Sequence, residues 1–192
     1  ALTLTLDGAM GNAGTLSAGG NSTLRAASVD NQGAISSRGA ALFDALSLQN
    51  DGSISASDNL TLHGNYQGNG SLSTAAQLAL HGERLSQNGE WQADSLTVNA
   101  TRFTHNGTLR AHVVALSLTD LFNNGQIDAD QTLALTLGNM DNRGNVNAGD
   151  MTLRATTLTN SGSLASQHAM ELHLADSLDN SGVITAQGAV EA

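Results

Sequence analysis

Along almost the whole chain apolar side chains alternate with polar or small ones, and the alternation restarts at a fixed interval. The clearest copy is Leu158-Thr159-Asn160-Ser161-Gly162-Ser163-Leu164-Ala165-Ser166, which reads apolar-x-Asn-x-Gly-x-apolar-x-small. Its glycine recurs as Gly14, Gly33, Gly52, Gly70, Gly89, Gly107, Gly125, Gly144, Gly162 and Gly182, at gaps of 19, 19, 18, 19, 18, 18, 19, 18 and 20 residues. Ten copies at one period make this a repeat array, in which each unit packs on its neighbours and no closed globular core is needed.

The register around each glycine repeats in detail. Four residues earlier stands an apolar residue, from Met10 and Val29 through Tyr66 and Phe103 to Leu178. Two residues later stands another, from Leu16 and Ile35 through Trp91 to Ile184. Four residues later the side chain is small, as in Ala18, Ser37, Thr74 and Ala148, and most copies then carry an apolar pair such as Leu60/Leu62 or Leu133/Leu135. A period of two is the strand signature, and no copy leaves space for a helix of about ten residues as well. Three short strands joined by tight bends predict an all-β fold, a single-stranded parallel β-helix with about ten rungs of 18–20 residues, forming one domain over residues 1–192. Rungs ~4.8 Å apart would give a rod of roughly 45–50 Å. A leucine-rich repeat is the competing architecture, but it needs L-x-x-L-x-L-x-x-N spacing and a helical or 3₁₀ return leg. Here the Asn falls two residues after an apolar position, and the return leg also alternates.

The Asn column holds Asn12, Asn31, Asn50, Asn123, Asn142, Asn160 and Asn180, interrupted by Gly68, Gln87 and His105. Its parity matches the flanking apolar positions, so these amides are expected to point inward. A buried amide is costly unless paired, whereas amides stacked rung on rung can donate to one another, as in cross-β ladders. The glycine two residues on is expected to turn a corner in a backbone conformation closed to other residues. Intervening positions face outward and mostly avoid like charges on adjacent rungs, which would repel. Arg110 and Asp128 fall on consecutive rungs at one register and are expected to pair.

Composition narrows the function. Charged residues are only 12% of the 192, aromatics 3%, and the net charge is −10 with no Lys, which leaves no cationic surface for nucleic acid. There is no basic amphipathic segment, no apolar run long enough to span a bilayer, and no signal peptide at Ala1. Cysteine is absent, excluding disulfides and thiolate metal sites, and proline is absent, which suits segments that all donate to a ladder. The repeat already runs at residue 2, so the chain reads as a segment of a longer protein.

Candidate chemistry is sparse. The fourth to sixth copies depart from the pattern together: they lose the Asn and gain Tyr66, Trp91, Phe103 and His105. These four are either interior filling or a shaped surface for a partner. His63 and His81 follow an apolar pair in successive copies and are expected to stack outward, with no third ligand to complete a metal site. His112, His168 and His173 read as surface residues. Asp44, Asp58, Asp94, Asp120, Asp130, Asp150 and Asp176 occur at scattered registers, and Asp128/Asp130 with Asp150 make no pair for acid–base hydrolysis. No nucleophile or phosphate-binding motif occurs, so no enzyme, cofactor or metal site is expected. The sequons at Asn21, Asn59, Asn69, Asn99 and Asn106 are those that chance supplies in a chain rich in Asn, Ser and Thr.

With the register assigned, Leu-Asp-Asn-Ser-Gly-Val-Ile-Thr-Ala at 178–186 and the matching run at 158–166 resemble filamentous haemagglutinin repeats. Those belong to the large exoproteins of Gram-negative two-partner secretion: adhesins, cytolysins and contact-dependent growth inhibition toxins. The resemblance covers all ten copies and is weakest where the Asn is missing. It implies a right-handed helix, export through an outer-membrane transporter, and a secreted or cell-surface location outside the outer membrane. The function it implies is a rigid shaft presenting a distal adhesive or toxic part. A receptor- or glycan-binding role centred on residues 66–105 is the alternative.

Overall fold

The computed structural model describes residues 1–191; Ala192, the last residue of the expected domain, lies outside them. Among the described residues there is no helix. The chain winds as a parallel β-solenoid of ten turns, each strand pairing in register with the equivalent strand of the turns before and after. Alternation drives this arrangement. Every second side chain of a strand must leave water, and a coil that lays strand on strand buries that set while pairing the backbone groups of its strands.

Three columns form the interior. The first runs Met10, Val29, Leu48, Tyr66, Leu85, Phe103, Leu121, Met140, Leu158 and Leu178. The second runs Leu16, Ile35, Ile54, Leu72, Trp91, Leu109, Ile127, Val146, Leu164 and Ile184. The third is the second member of the apolar pair, from Leu4 and Leu24 through Phe43 and Leu80 to Leu153 and Leu172. Away from the outermost turns these side chains are almost wholly buried. The small residues sit at the tight bend after the second column. Where that residue has a hydroxyl, it binds the bend's own carbonyls: Ser166 donates to the carbonyls of Gly149 at 2.8 Å and Ala169 at 2.7 Å, and Ser37 to that of Gly20 at 2.6 Å.

The corner glycines need a different explanation from the expected one. Gly64 is the only residue with a positive φ (120°) among those described, and it is not one of the ten repeat glycines. A corner glycine is required by stacking. A Cβ on Gly144 would overlap the carbonyl oxygen of Gly125 beneath it, and the same holds at Gly89 over Gly70. The rungs cross one another so closely here that hydrogen is the only side chain that fits.

Turns of unequal length are reconciled by bulges, at Asp44/Ser47, Ala111/Val113, Ala129/Thr132 and Ala155/Thr157. At the first of these Leu46 has no counterpart in the next rung and stands 78% exposed. Gly64 lies over the displaced Ala45 carbonyl, where its positive φ relieves the misfit.

Candidate functional site

The inner amide column is continuous in two stretches. Asn12 donates through Nδ2 to Asn31 Oδ1 at 2.8 Å, and Asn31 to Asn50 at 2.8 Å. Beyond the interruption, Asn123 donates to Asn142 at 2.7 Å, Asn142 to Asn160 at 2.7 Å, and Asn160 to Asn180 at 2.8 Å. Asn31, Asn50, Asn123, Asn142 and Asn160 are fully buried; Asn12 is half-buried and Asn180 exposed, in the outermost turns. Most of these amides also bind the carbonyl of the residue after the next rung's glycine, as Asn31 does to Ser53 and Asn142 to Ser163, both at 3.2 Å.

Of the irregular rungs, those of Gln87 and His105 keep that second bond and lose the first. Gln87 Nε2 reaches the carbonyls of Gly89 at 2.5 Å and Thr108 at 3.2 Å, and His105 Nε2 lies 2.9 Å from the carbonyl of Gln126. Gly68 has no side chain, and the Tyr66 hydroxyl takes up its role as acceptor, 3.3 Å from Asn50 Nδ2. Around these substitutes the aromatics close the interior. Trp91 stacks on Phe103 at 5.4 Å between centroids and 11° between planes, and Tyr66 meets Trp91 edge-on at 5.2 Å. Phe103 in turn lies 5.6 Å from His105. All four are buried, at 2% exposure or less, so Tyr66, Trp91, Phe103 and His105 do not offer a surface to a partner. The reason is register: each occupies an inward column, and volume left by the missing amides draws the rings in. Burial holds the His105 imidazole at a pKa of about 4, against an ordinary 6.5, and raises the Tyr66 phenol. Three interior polar atoms here have no hydrogen-bond partner: Gln87 Oε1, Trp91 Nε1 and His105 Nδ1.

A second amide ladder runs on the outside of these same rungs, one residue nearer the glycine. Asn124 donates to Asn106 at 2.8 Å, Asn106 to Asn88 at 2.7 Å, Asn88 to Asn69 at 3.0 Å, and Asn69 to the Asp51 carboxylate at 2.8 Å. Its donors point back along the chain, opposite to the inner ladder. Asp51 also accepts from Gln49 Nε2 and the backbone N–H of Asn69, and these bonds hold its carboxyl below the usual carboxylate range. Sequence reading missed this column, although the run Asn69, Asn88, Asn106, Asn124 immediately before the glycines was a visible signal.

On the outer face around Arg110 and His112, charges alternate from rung to rung. Arg110 lies 3.6 Å from Asp128, as its register predicts, and 3.8 Å from Glu90. His112 stands between Asp94 at 4.0 Å and Asp130 at 3.9 Å, a grouping that scattered positions in the sequence concealed. Of these, Arg110, His112, Asp128 and Asp130 line a hollow of about 450 Å³ with Gln92 and Gln167. Their heads are more than half exposed except that of Asp128, so solvent screens them and each pair contributes little to stability. His63 and His81 stack at 5.1 Å, His63 exposed and His81 half-buried. No group of three or more potential metal ligands assembles among the described residues. Arg84 and Arg102 are neighbours in one column, on a polar strip of about 620 Å³ with Asn65, Gln67, Ser86 and Thr104.

Compared with known proteins, the chain matches the family model of the haemagglutinin repeat over residues 1–64, 44–102 and 93–192. No curated protein and no solved structure matches it.

Proposed function

From a chain that belongs to the haemagglutinin repeat family, we propose a non-catalytic, rigid spacer in the shaft of a secreted Gram-negative exoprotein. It holds an adhesive or toxic part away from the cell and reaches the surface through an outer-membrane two-partner-secretion transporter. The observation that carries this reading is the unbroken stacking: three interior columns run through every turn in register, including those that lack the Asn. A rod built this way resists bending because any bend must open ladder hydrogen bonds along one face. The absence of Cys also suits threading through a pore, since no disulfide loop can form before export.

The test removes residues 53–107 within the full-length exoprotein, joining Gly52 to Thr108 and so setting Asn50 against Asn123 in register. A spacer shortened by three rungs, roughly 14 Å, retains target-cell binding at unchanged surface display. Loss of binding with display intact overturns the spacer reading. In that event the alternative stands, a receptor- or glycan-binding strip. It is favoured by one observation: two of the chain's few cations, Arg84 and Arg102, lie side by side on the polar face over the buried aromatics.

A further inference from the structure

The outer ladder is made of the chain's four Asn-Gly steps, Asn69-Gly70, Asn88-Gly89, Asn106-Gly107 and Asn124-Gly125. An asparagine followed by glycine can modify itself. The backbone nitrogen of the glycine loses its proton and attacks Cγ of the asparagine. As the new C–N bond forms, the Cγ–Nδ2 bond breaks and ammonia leaves, giving a five-membered succinimide. Water then opens either carbonyl to yield aspartate or isoaspartate. Glycine permits this because no Cβ obstructs the approach.

The four steps are not equivalent in the fold. Gly70 and Gly125 spend their backbone N–H on carbonyls of the preceding rung, Asn50 at 2.9 Å and His105 at 3.1 Å, and Gly125 also donates to Asn123 Oδ1. The repeat glycines Gly33, Gly52, Gly144, Gly162 and Gly182 make the same backbone bond. Gly89 and Gly107 do not: among the described residues their N–H groups donate to no backbone carbonyl, because the carbonyls of Gly68 and Gln87 take only the preceding amides, those of Asn88 and Asn106. The electrophiles at these two steps are also polarised, as is that of Asn69, whose Oδ1 accepts from Asn88 at 3.0 Å, so Asn69-Gly70 is set apart by its engaged glycine N–H. Asn88 Oδ1 accepts from Asn106 at 2.7 Å and Asn106 Oδ1 from Asn124 at 2.8 Å, which places a donor where negative charge develops as the tetrahedral centre forms. Asn124 Oδ1 has no such donor, since Arg143 holds the next position and turns to Asp141 at 2.8 Å.

We propose that Asn88-Gly89 and Asn106-Gly107 are a self-modification site, forming succinimide and then aspartate or isoaspartate in the folded protein, while Asn69-Gly70 and Asn124-Gly125 are protected. Isoaspartate adds a backbone carbon at corners where not even a Cβ fits over Gly70 and Gly89. Conversion therefore loosens the stack at its irregular rungs and cannot reverse.

The test incubates the full-length exoprotein at mildly alkaline pH and follows the four peptides by mass spectrometry, with hydroxylamine present in a parallel sample to trap succinimide. Asn88 and Asn106 should convert several-fold faster than Asn69 and Asn124, and the four rates should converge in concentrated urea. Equal rates in the folded protein, or faster conversion at Asn69 or Asn124, overturn the proposal. The variant Asn124→Ala removes the donor to Asn106 Oδ1 and should slow conversion at Asn106 while leaving that at Asn88 unchanged. An unchanged rate at Asn106 overturns the role given to the ladder.

Discussion

The fourth to sixth rungs and the regular rungs on either side of them occupy the same inner position by different chemistry. In the regular rungs a single residue type both donates and accepts, so each added rung satisfies the one before it. In the irregular rungs glycine, glutamine and histidine each find a separate solution, and three interior polar atoms are left without partners. Aromatic packing offsets that deficit, and the amide ladder reappears on the outside, where water can complete whatever the amides leave unmade. The backbone is nearly indifferent to the change: the strands keep their register through it. A solenoid therefore tolerates variation at a side-chain position so long as the strand spacing and the corners are respected.

The corners are the place where the two regions should prove alike, and there the largest effect is expected. Gly144→Ala in a regular rung and Gly89→Ala in an irregular one both press a methyl group into the carbonyl of the glycine beneath. Each should cost about 4 kcal/mol or more of local stability. Hydrogen exchange of the two flanking rungs is the appropriate measurement, because an array of repeats need not unfold as one unit. A markedly milder effect at Gly89 would show that the irregular rungs have slack the regular ones lack. Next in size is Trp91→Ala, which empties the largest interior volume and strips Phe103 and Tyr66 of their contacts, at a cost of about 3–5 kcal/mol. Leu164→Ala, the same column in a regular rung, should cost less, about 2–3 kcal/mol. Parity between them would mean that the aromatics merely occupy space.

How much of this was legible in the sequence differs residue by residue. Asn160 and Gly162 were readable because period and parity alone fix which way a strand residue points, and stacked amides follow from identical residues at one register. Why Gly162 must be glycine was not: distinguishing a turn from a close crossing requires knowing how far apart two rungs lie at that corner. Trp91 and Phe103 could be assigned to inward columns, yet whether a break in the pattern exposes or fills is decided by volume, which register does not report. His112 appeared to be a lone surface residue. Its place between Asp94 and Asp130 depends on two gaps of 18 residues being absorbed at particular bends. The outer amides escaped notice since attention to an alternating pattern falls on the buried half.

Acid should separate the two regions. His105 is neutral and buried, with a pKa of about 4 against 6.5 when exposed. Above pH 6.5 it is uncharged in both the folded and unfolded chain and has no effect. As pH falls from 6.5 to about 4 the unfolded chain takes up a proton that the folded chain refuses, so stability declines across that window. Below it the loss is complete, at about 3 kcal/mol. Protection against exchange, measured relative to the intrinsic rate at each pH, should fall on acidification in the rungs of Gly89 to Gly125 while that of Gly33 and Gly162 stays level. His105→Asn should abolish the difference and extend the inner ladder to Asn123.

The smallest effect distinguishes the ladders themselves. Asn142→Ala leaves Asn123 Nδ2 without its acceptor and Asn160 Oδ1 without its donor, both in the dry interior. Two buried groups stranded at once should cost about 2–3 kcal/mol. Asn106→Ala breaks the outer ladder at the equivalent step, between Asn88 and Asn124, but both neighbours are exposed and water replaces the lost partners. Its cost should be below about 0.5 kcal/mol. Stability of the two variants, read from exchange at Asn123 and Asn124 and at the rungs beside them, gives the ratio directly. If Asn106→Ala proved as damaging as Asn142→Ala, the outer amides would be holding the stack together rather than decorating it. The irregular rungs would then depend on their surface for what the regular rungs draw from their interior.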